Sequence, residues 1–129
     1  MAFKYYAIKL SLLAILVFLA QALIPNFTEL FILDSSSYFQ PWRFVTAIFL
    51  HAGLAHLIFN LFALLLFGSI LENLIGGKKF LLIFFTTGIL TNLLAVNFYN
   101  SSLGASGAIF GIIGALIIVR PLLTVWTFG

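Results

Sequence analysis

The sequence predicts an all-α polytopic membrane protein, a single domain of four transmembrane helices over residues 1–129. Composition, the spacing of apolar runs and the distribution of basic residues predict it. Of 129 residues, 64% are hydrophobic and 7% charged. Soluble domains carry about 25% charged residues. Six basic and three acidic side chains cannot cover a water-facing surface, so lipid covers much of this chain. A soluble bundle of this composition would expose more apolar area than soluble monomers tolerate. The 16 phenylalanines suit a lipid-facing exterior. Cysteine is absent, which excludes disulfides, Cys-ligated zinc and a cysteine nucleophile. The net charge of +3 is small and dispersed, so no nucleic-acid partner is expected.

A helix needs about 20 residues to cross the hydrocarbon. The first expected span runs from about Leu10 to Ile24, with Tyr5 as its earliest start and Pro25-Asn26 ending it. The second runs from about Leu50 to Ile75 and stops at Gly76-Gly77. The third covers about Phe80 to Phe98. The fourth covers about Ser106 to Val119, closed by Arg120-Pro121. The first segment has a rival reading. Lys4 and Lys9 precede a short apolar stretch, and Ala20-Gln21-Ala22 has the small-x-small form of a signal-peptidase site. Three further spans favour a retained helix.

With the N-terminus in the cytoplasm, Lys4, Lys9, Lys78, Lys79 and Arg120 fall inside and only Arg43 outside. That satisfies the positive-inside rule and predicts a multi-pass protein of the cell membrane. The loop from Asn26 to about Phe49 is then external. Its aromatic residues (Phe27, Phe31, Tyr38, Phe39, Trp42 and Phe44) suit a segment lying in the membrane interface. The loop from Tyr99 to Ala105 is external too.

Polar residues inside apolar spans are costly, so each needs a reason. The second span carries His51, His56 and Asn60 near its external end. His56 and Asn60 are spaced i, i+4 and share a face. They fit interhelical hydrogen bonds, a polar pathway or a catalytic site. A metal site fits poorly. Two histidines five apart do not reproduce the i, i+4 pair of H-E-x-x-H, and no third histidine or cysteine exists.

The fourth span opens with Gly104-Ala105-Ser106-Gly107-Ala108. Fourteen residues rise about 21 Å, too little to cross upright. If Arg120 marks the cytoplasmic interface, Ser106 lies below the outer surface. Non-helical backbone is tolerated there only against protein or a water-filled cavity. The expectation is an external aqueous cavity with Ser106 at its floor. Gly107, Gly111 and Ala115 form a small-xxx-small stripe for close helix packing, and Ser106 read alone fits that stripe as one more small residue. A hydroxyl at a helix N-terminus, beside side-chain and backbone donors, is also the layout of a nucleophile with an oxyanion hole.

At this point the sequence resembles the rhomboid family of intramembrane serine proteases. Trp42-Arg43 stands in the first external loop. His51, His56 and Asn60 reproduce H-x-x-x-x-H-x-x-x-N. Glu72 lies near the cytoplasmic end of the second span, and Gly104-Ala105-Ser106-Gly107 reproduces G-x-S-G. The resemblance covers about residues 38 to 120. It implies a six-helix core and a Ser–His dyad that cuts membrane-anchored substrates within or near the bilayer, without a cofactor. Ser106 would be the nucleophile. Its backbone N–H, a ring N–H of His56 and the Asn60 amide would hold the oxyanion, and His51 would shape that region. Gly104 and Gly107 would let the backbone approach the dyad. Phe110 would occupy a position from which an aromatic packs on the catalytic histidine. Trp42-Arg43 would perturb or anchor in lipid, and Glu72 would be structural.

In rhomboids the general base is a histidine on the sixth helix. Both histidines here lie on the second span, so the base is expected beyond residue 129. The ending Val125-Trp126-Thr127-Phe128-Gly129 reads as a break in the loop after the fourth helix, and the domain as truncated there. Two other readings stay open: a catalytically inactive rhomboid-like protein that binds transmembrane helices, and a channel or transporter fragment whose His51, His56 and Asn60 line a pathway.

Overall fold

The computed structural model describes residues 4–120, so Pro121 and the expected break at Val125–Gly129 lie outside the described residues. Among the described residues, three helices are long and apolar enough to cross a membrane: α1 (Tyr6–Leu23), α4 (Leu54–Ile75) and α5 (Gly77–Ala95). Between α1 and α4 lie α2 (Phe27–Phe31), α3 (Arg43–Thr46) and two 3-10 turns at Ser35–Tyr38 and Ala47–Phe49. The fourth apolar helix, α6 (Ser106–Val119), is 14 residues long, as the sequence predicts. A two-residue ladder, β1 (Leu33–Asp34) antiparallel to β2 (Ser101–Ser102), ties the two loops at the serine end of the bundle.

The second span starts at Leu54, not Leu50. Leu50 and Gly53 are extended, and the chain has already made a 3-10 turn before them. His51 therefore stands in an irregular segment ahead of the helix. The third span runs three residues earlier than expected. Gly76, at φ 91 and ψ 161, reverses the chain in one residue, where any side chain would be strained. A π turn at Leu64–Gly68 interrupts α4 between its polar serine-end half and Glu72.

The core is phenylalanine and aliphatic. Phe80, Phe84, Ile48, Leu71 and Ile112 are fully buried where α4, α5 and α6 meet. The fourth helix lies chiefly against α5. A Cβ at Gly107 would overlap Thr91, and one at Gly111 would overlap Thr87, so the small residues bring the backbones together.

Two charged side chains hold the frame. Glu72 is buried, and its carboxylate accepts the amides of Lys4 (3.2 Å), Tyr6 (2.9 Å) and Ala7 (3.0 Å). An anion from α4 thus caps the N-terminus of α1, where the helix dipole favours negative charge. This is a structural part, as the resemblance implies. The expectation for Arg43 needs correcting. It is buried, not in lipid: Nη1 donates to the carbonyls of Glu29 and Ile32 at 2.8 Å each and meets Asp34 Oδ2 at 3.4 Å, while Nε donates to Gln40. The loop's free carbonyls need a multivalent donor more than the interface needs a cation. Tyr38, Phe39 and Trp42 remain exposed on this loop and suit a membrane interface.

Replacing Glu72 by alanine strands three amides. We expect the detergent-solubilised protein to lose roughly 1.5–3 kcal/mol, read by thermal unfolding, and Glu72→Gln, which keeps an acceptor, to lose less. The Ser36 hydroxyl and amide, with Arg43, hold the Asp34 carboxyl below its ordinary value of 3.8. A depressed folded pKa gives stabilisation that is full above the unfolded value and fades as pH falls through the lower folded one. Proteolytic nicking of the loop should therefore be constant from neutral pH down to about 4 and rise only under stronger acid. Asp34→Asn should remove that acid dependence.

Candidate active site

Asn60 lies seven residues into α4, roughly 9 Å along its axis. Its Oδ1 accepts the Ser106 hydroxyl at 3.2 Å. That bond sets the first residue of α6 well below the start of α4, which is the geometry expected of a short fourth helix. Ser106 is partly exposed, while Asn60 is 9% exposed. The first amides of α6, those of Ser106, Gly107 and Ala108, precede the first helical hydrogen bond, Ile109 N–H to Ala105 O.

His56 is one turn above Asn60 on the same face. Its Nδ1 accepts the Ala52 N–H at 3.2 Å, so the ring proton sits on Nε2. Gly104 locates where that N–H points. A Cβ there would lie 2.9 Å from His56 Nε2 and 3.8 Å from Asn60 Nδ2. The two donors converge beside a backbone without a side chain. Gly104 adopts φ +114 and donates its N–H to Ala47 O at 2.8 Å. Asn60 Nδ2 is buried without a partner. A donor so placed is costly unless something else uses it.

His51 is 2% exposed and meets the His56 ring edge-on, centroids 4.9 Å apart. Its Nδ1 lies 3.2 Å from the Phe49 carbonyl and must donate to it, which leaves a lone pair on buried, unpartnered Nε2. The structure thus brings Ser106, Asn60, His56, His51 and Gly104 together. It does not bring in Gly107, whose bare Cα faces Thr91 of α5; one residue along a helix turns roughly 100° away. Phe110 is 73% exposed.

The sequence profile of the Rhomboid domain matches residues 38–129. The chain belongs to the rhomboid family. Within it, 80 residues are 48% identical to the rhomboid protease GluP of Bacillus subtilis, covering 60% of this chain and 16% of that protein. Ninety residues are 40% identical to the mitochondrial RHOMBOID-like protein 6 of Arabidopsis thaliana, covering 68% of this chain and 29% of that one. An inactive relative, RHOMBOID-like protein 8 of Arabidopsis thaliana, is 38% identical over 78 residues, covering 59% of this chain and 22% of its own length. The chain spans less than a third of each of these relatives. Family and apolar helices together make it a multi-pass membrane protein.

Sequence reasoning missed Gln21. A lone amide in an apolar span was the available signal, and the small residues around it suggested a cleavage site instead. In the structure Gln21 lies inside α1 and bonds to the backbone of His51.

Gly104 offers a direct test. Alanine there would press on His56 Cε1 at 2.7 Å and require φ +114 of a residue that resists it. We expect Gly104→Ala to cost about 1–3 kcal/mol in thermal unfolding and to displace the His56 ring. An unchanged melting temperature with unchanged histidine NMR signals would contradict this packing.

Proposed function

We propose that this chain carries the nucleophile half of an intramembrane serine endopeptidase that cleaves membrane-anchored substrates within or near the bilayer. The observation that carries the proposal is the convergence of unpartnered Asn60 Nδ2 and His56 Nε2–H beside Gly104, two residues before Ser106, with Ser106 itself bonded to the Asn60 side chain. Neutral donors fixed around a hydroxyl suit a negative charge that develops during acyl transfer.

In the proposed reaction Ser106 Oγ attacks the scissile carbonyl carbon, and its proton passes to a base. Neither His51 nor His56 bonds to Ser106 among the described residues, and an amide oxygen is no base. In this reading the base is a histidine outside the described residues, as the resemblance to rhomboid proteases implies. The carbonyl oxygen becomes an oxyanion held by Asn60 Nδ2, His56 Nε2–H and the Ser106 amide. The C–N bond breaks as the amine takes the proton from the base. Water then hydrolyses the Ser106 ester by the reverse proton path. The positive-inside pattern supports an orientation with the N-terminus in the cytoplasm and the site open to the external side.

The identity with an inactive relative supports a second reading, in which the same cleft holds a transmembrane helix without cutting it. Fluorophosphonate labelling and cleavage of a transmembrane reporter, with the full-length protein in liposomes, separate the two. We expect Ser106→Ala to abolish both signals. Asn60→Ala should lower kcat about 10²–10³-fold, roughly 2.7–4 kcal/mol. Labelling that persists in Ser106→Ala rejects the nucleophile. Reporter binding without any cleavage selects the inactive reading.

A further inference from the structure

Gln21 makes three hydrogen bonds from the first span. Its Oε1 accepts the His51 N–H at 2.9 Å; its Nε2 donates to the His51 carbonyl at 3.0 Å and to Thr28 Oγ1 at 3.1 Å. Both amide ends are matched to backbone groups of one residue, so the orientation of the side chain is fixed by its partners. The held residue lies in the irregular segment ahead of α4, where no helix or sheet satisfies the backbone.

The peptide that Gln21 grips is the one that controls His56. The His51 carbonyl and the Ala52 N–H belong to a single planar unit, rigid because the C–N bond has double-bond character. Gln21 holds its oxygen; its N–H donates to His56 Nδ1 at 3.2 Å. The chain of contacts is Gln21 Nε2–H, His51 C=O, Ala52 N–H, His56 Nδ1. Each bond polarises the next in the same direction. Rotating the peptide would aim a carbonyl at Nδ1 and move the ring proton to it, away from Gly104.

We infer that Gln21 is a positioning residue for the oxyanion site: through the 51–52 peptide plane it fixes the tautomer and ring orientation of His56. The inference rests on the protease reading for its effect on rate, but the tautomer stands apart from it. The first span, remote from the nucleophile in sequence, then decides whether His56 presents an N–H or a lone pair to the reacting oxygen.

The test is the full-length protein with 15N-labelled histidine in micelles, the His56 signals assigned by their loss in His56→Ala. In the wild type, His56 Nδ1 should show the shift of an unprotonated nitrogen and Nε2 that of a protonated one. Gln21→Met, which keeps the length and loses both bonds, should mix or invert this pattern. It should also lower kcat about tenfold, less than removal of a donor outright, with KM little changed. Gln21→Glu supplies a second readout. A carboxylate cannot donate to the His51 carbonyl; a protonated carboxyl can. The Gln21→Glu to wild-type kcat ratio should therefore rise about threefold or more as pH falls from about 8 to about 5, toward the carboxyl range. An unchanged His56 tautomer in Gln21→Met overturns the inference, and so does a Gln21→Glu ratio flat with pH in active protein. A lowered melting temperature with the tautomer intact would mean that Gln21 is only structural. Wild-type protein with the stated tautomer and no Ser106-dependent cleavage would fail the protease reading and leave the inference standing.

Discussion

Hydrocarbon offers a backbone no hydrogen-bond partner, and this chain meets that constraint with side chains. Regular helix satisfies its own amides and carbonyls, but the segments at the serine end are irregular. The few polar side chains are spent there and at one helix end. Glu72 takes three amides at the start of α1. Arg43 takes the carbonyls of Glu29 and Ile32, Thr46 that of Phe31, Asn92 that of Phe44, and Gln21 both backbone groups of His51. A chain with so few polar residues places most of them where a backbone group would otherwise stand bare.

That pattern isolates the site. Buried side-chain polar atoms left without partners among the described residues are His51 Nε2, on the ring that meets His56, and Asn60 Nδ2, on the side chain that holds Ser106. Frustrated donors and acceptors survive in a fold when something outside it uses them. The shortness of α6 creates the place. Because α6 begins level with the third turn's approach on α4, the connection from α5 must descend between the helices. Gly104 makes that descent: its φ is closed to other residues, and its missing side chain leaves room for His56. The β1–β2 pairing and the Gly104–Ala47 bond then fasten the descending loop to the one before α4.

The parts legible in the sequence were those written in helical periodicity or in residues too costly to place idly. The bounds of α6 and the i, i+4 pairing of His56 with Asn60 follow from short-range rules; the structural part of Glu72 is implied by the family resemblance, since its partners at Lys4, Tyr6 and Ala7 are distant in the chain. Places set by partners distant in the chain were not legible. His51 sits ahead of its helix because Gln21, 30 residues away, gives its backbone an alternative to helix. Arg43 turns inward because α2 and its C-cap bring the carbonyls of Glu29 and Ile32 to it and the strand that follows brings the Asp34 carboxylate. Gly107 and Ser106 are adjacent in a motif, yet one packs against Thr91 and the other bonds to Asn60. A four-letter motif does not reveal which way each letter faces.

The charge balance at the serine end explains why the site is built of dipoles. Arg43, the one lysine or arginine there among the described residues, is committed to carbonyls and to Asp34. In the proposed reaction a free cation beside Ser106 would stabilise the oxyanion strongly, but it would have to be held, desolvated, in every state without one. Neutral N–H groups carry no such standing penalty. They need accurate aim instead, because a dipole loses its value quickly when it rotates. His56 acquires that aim by accepting the Ala52 N–H, a bond that an imidazolium could not make. Asn60 acquires it from its bond to Ser106 and from burial. The cost of dispensing with charge is thus a demand for rigidity. The hydrogen bonds that reach the site from the first span, the external loop and Gly104 are where this fold meets it.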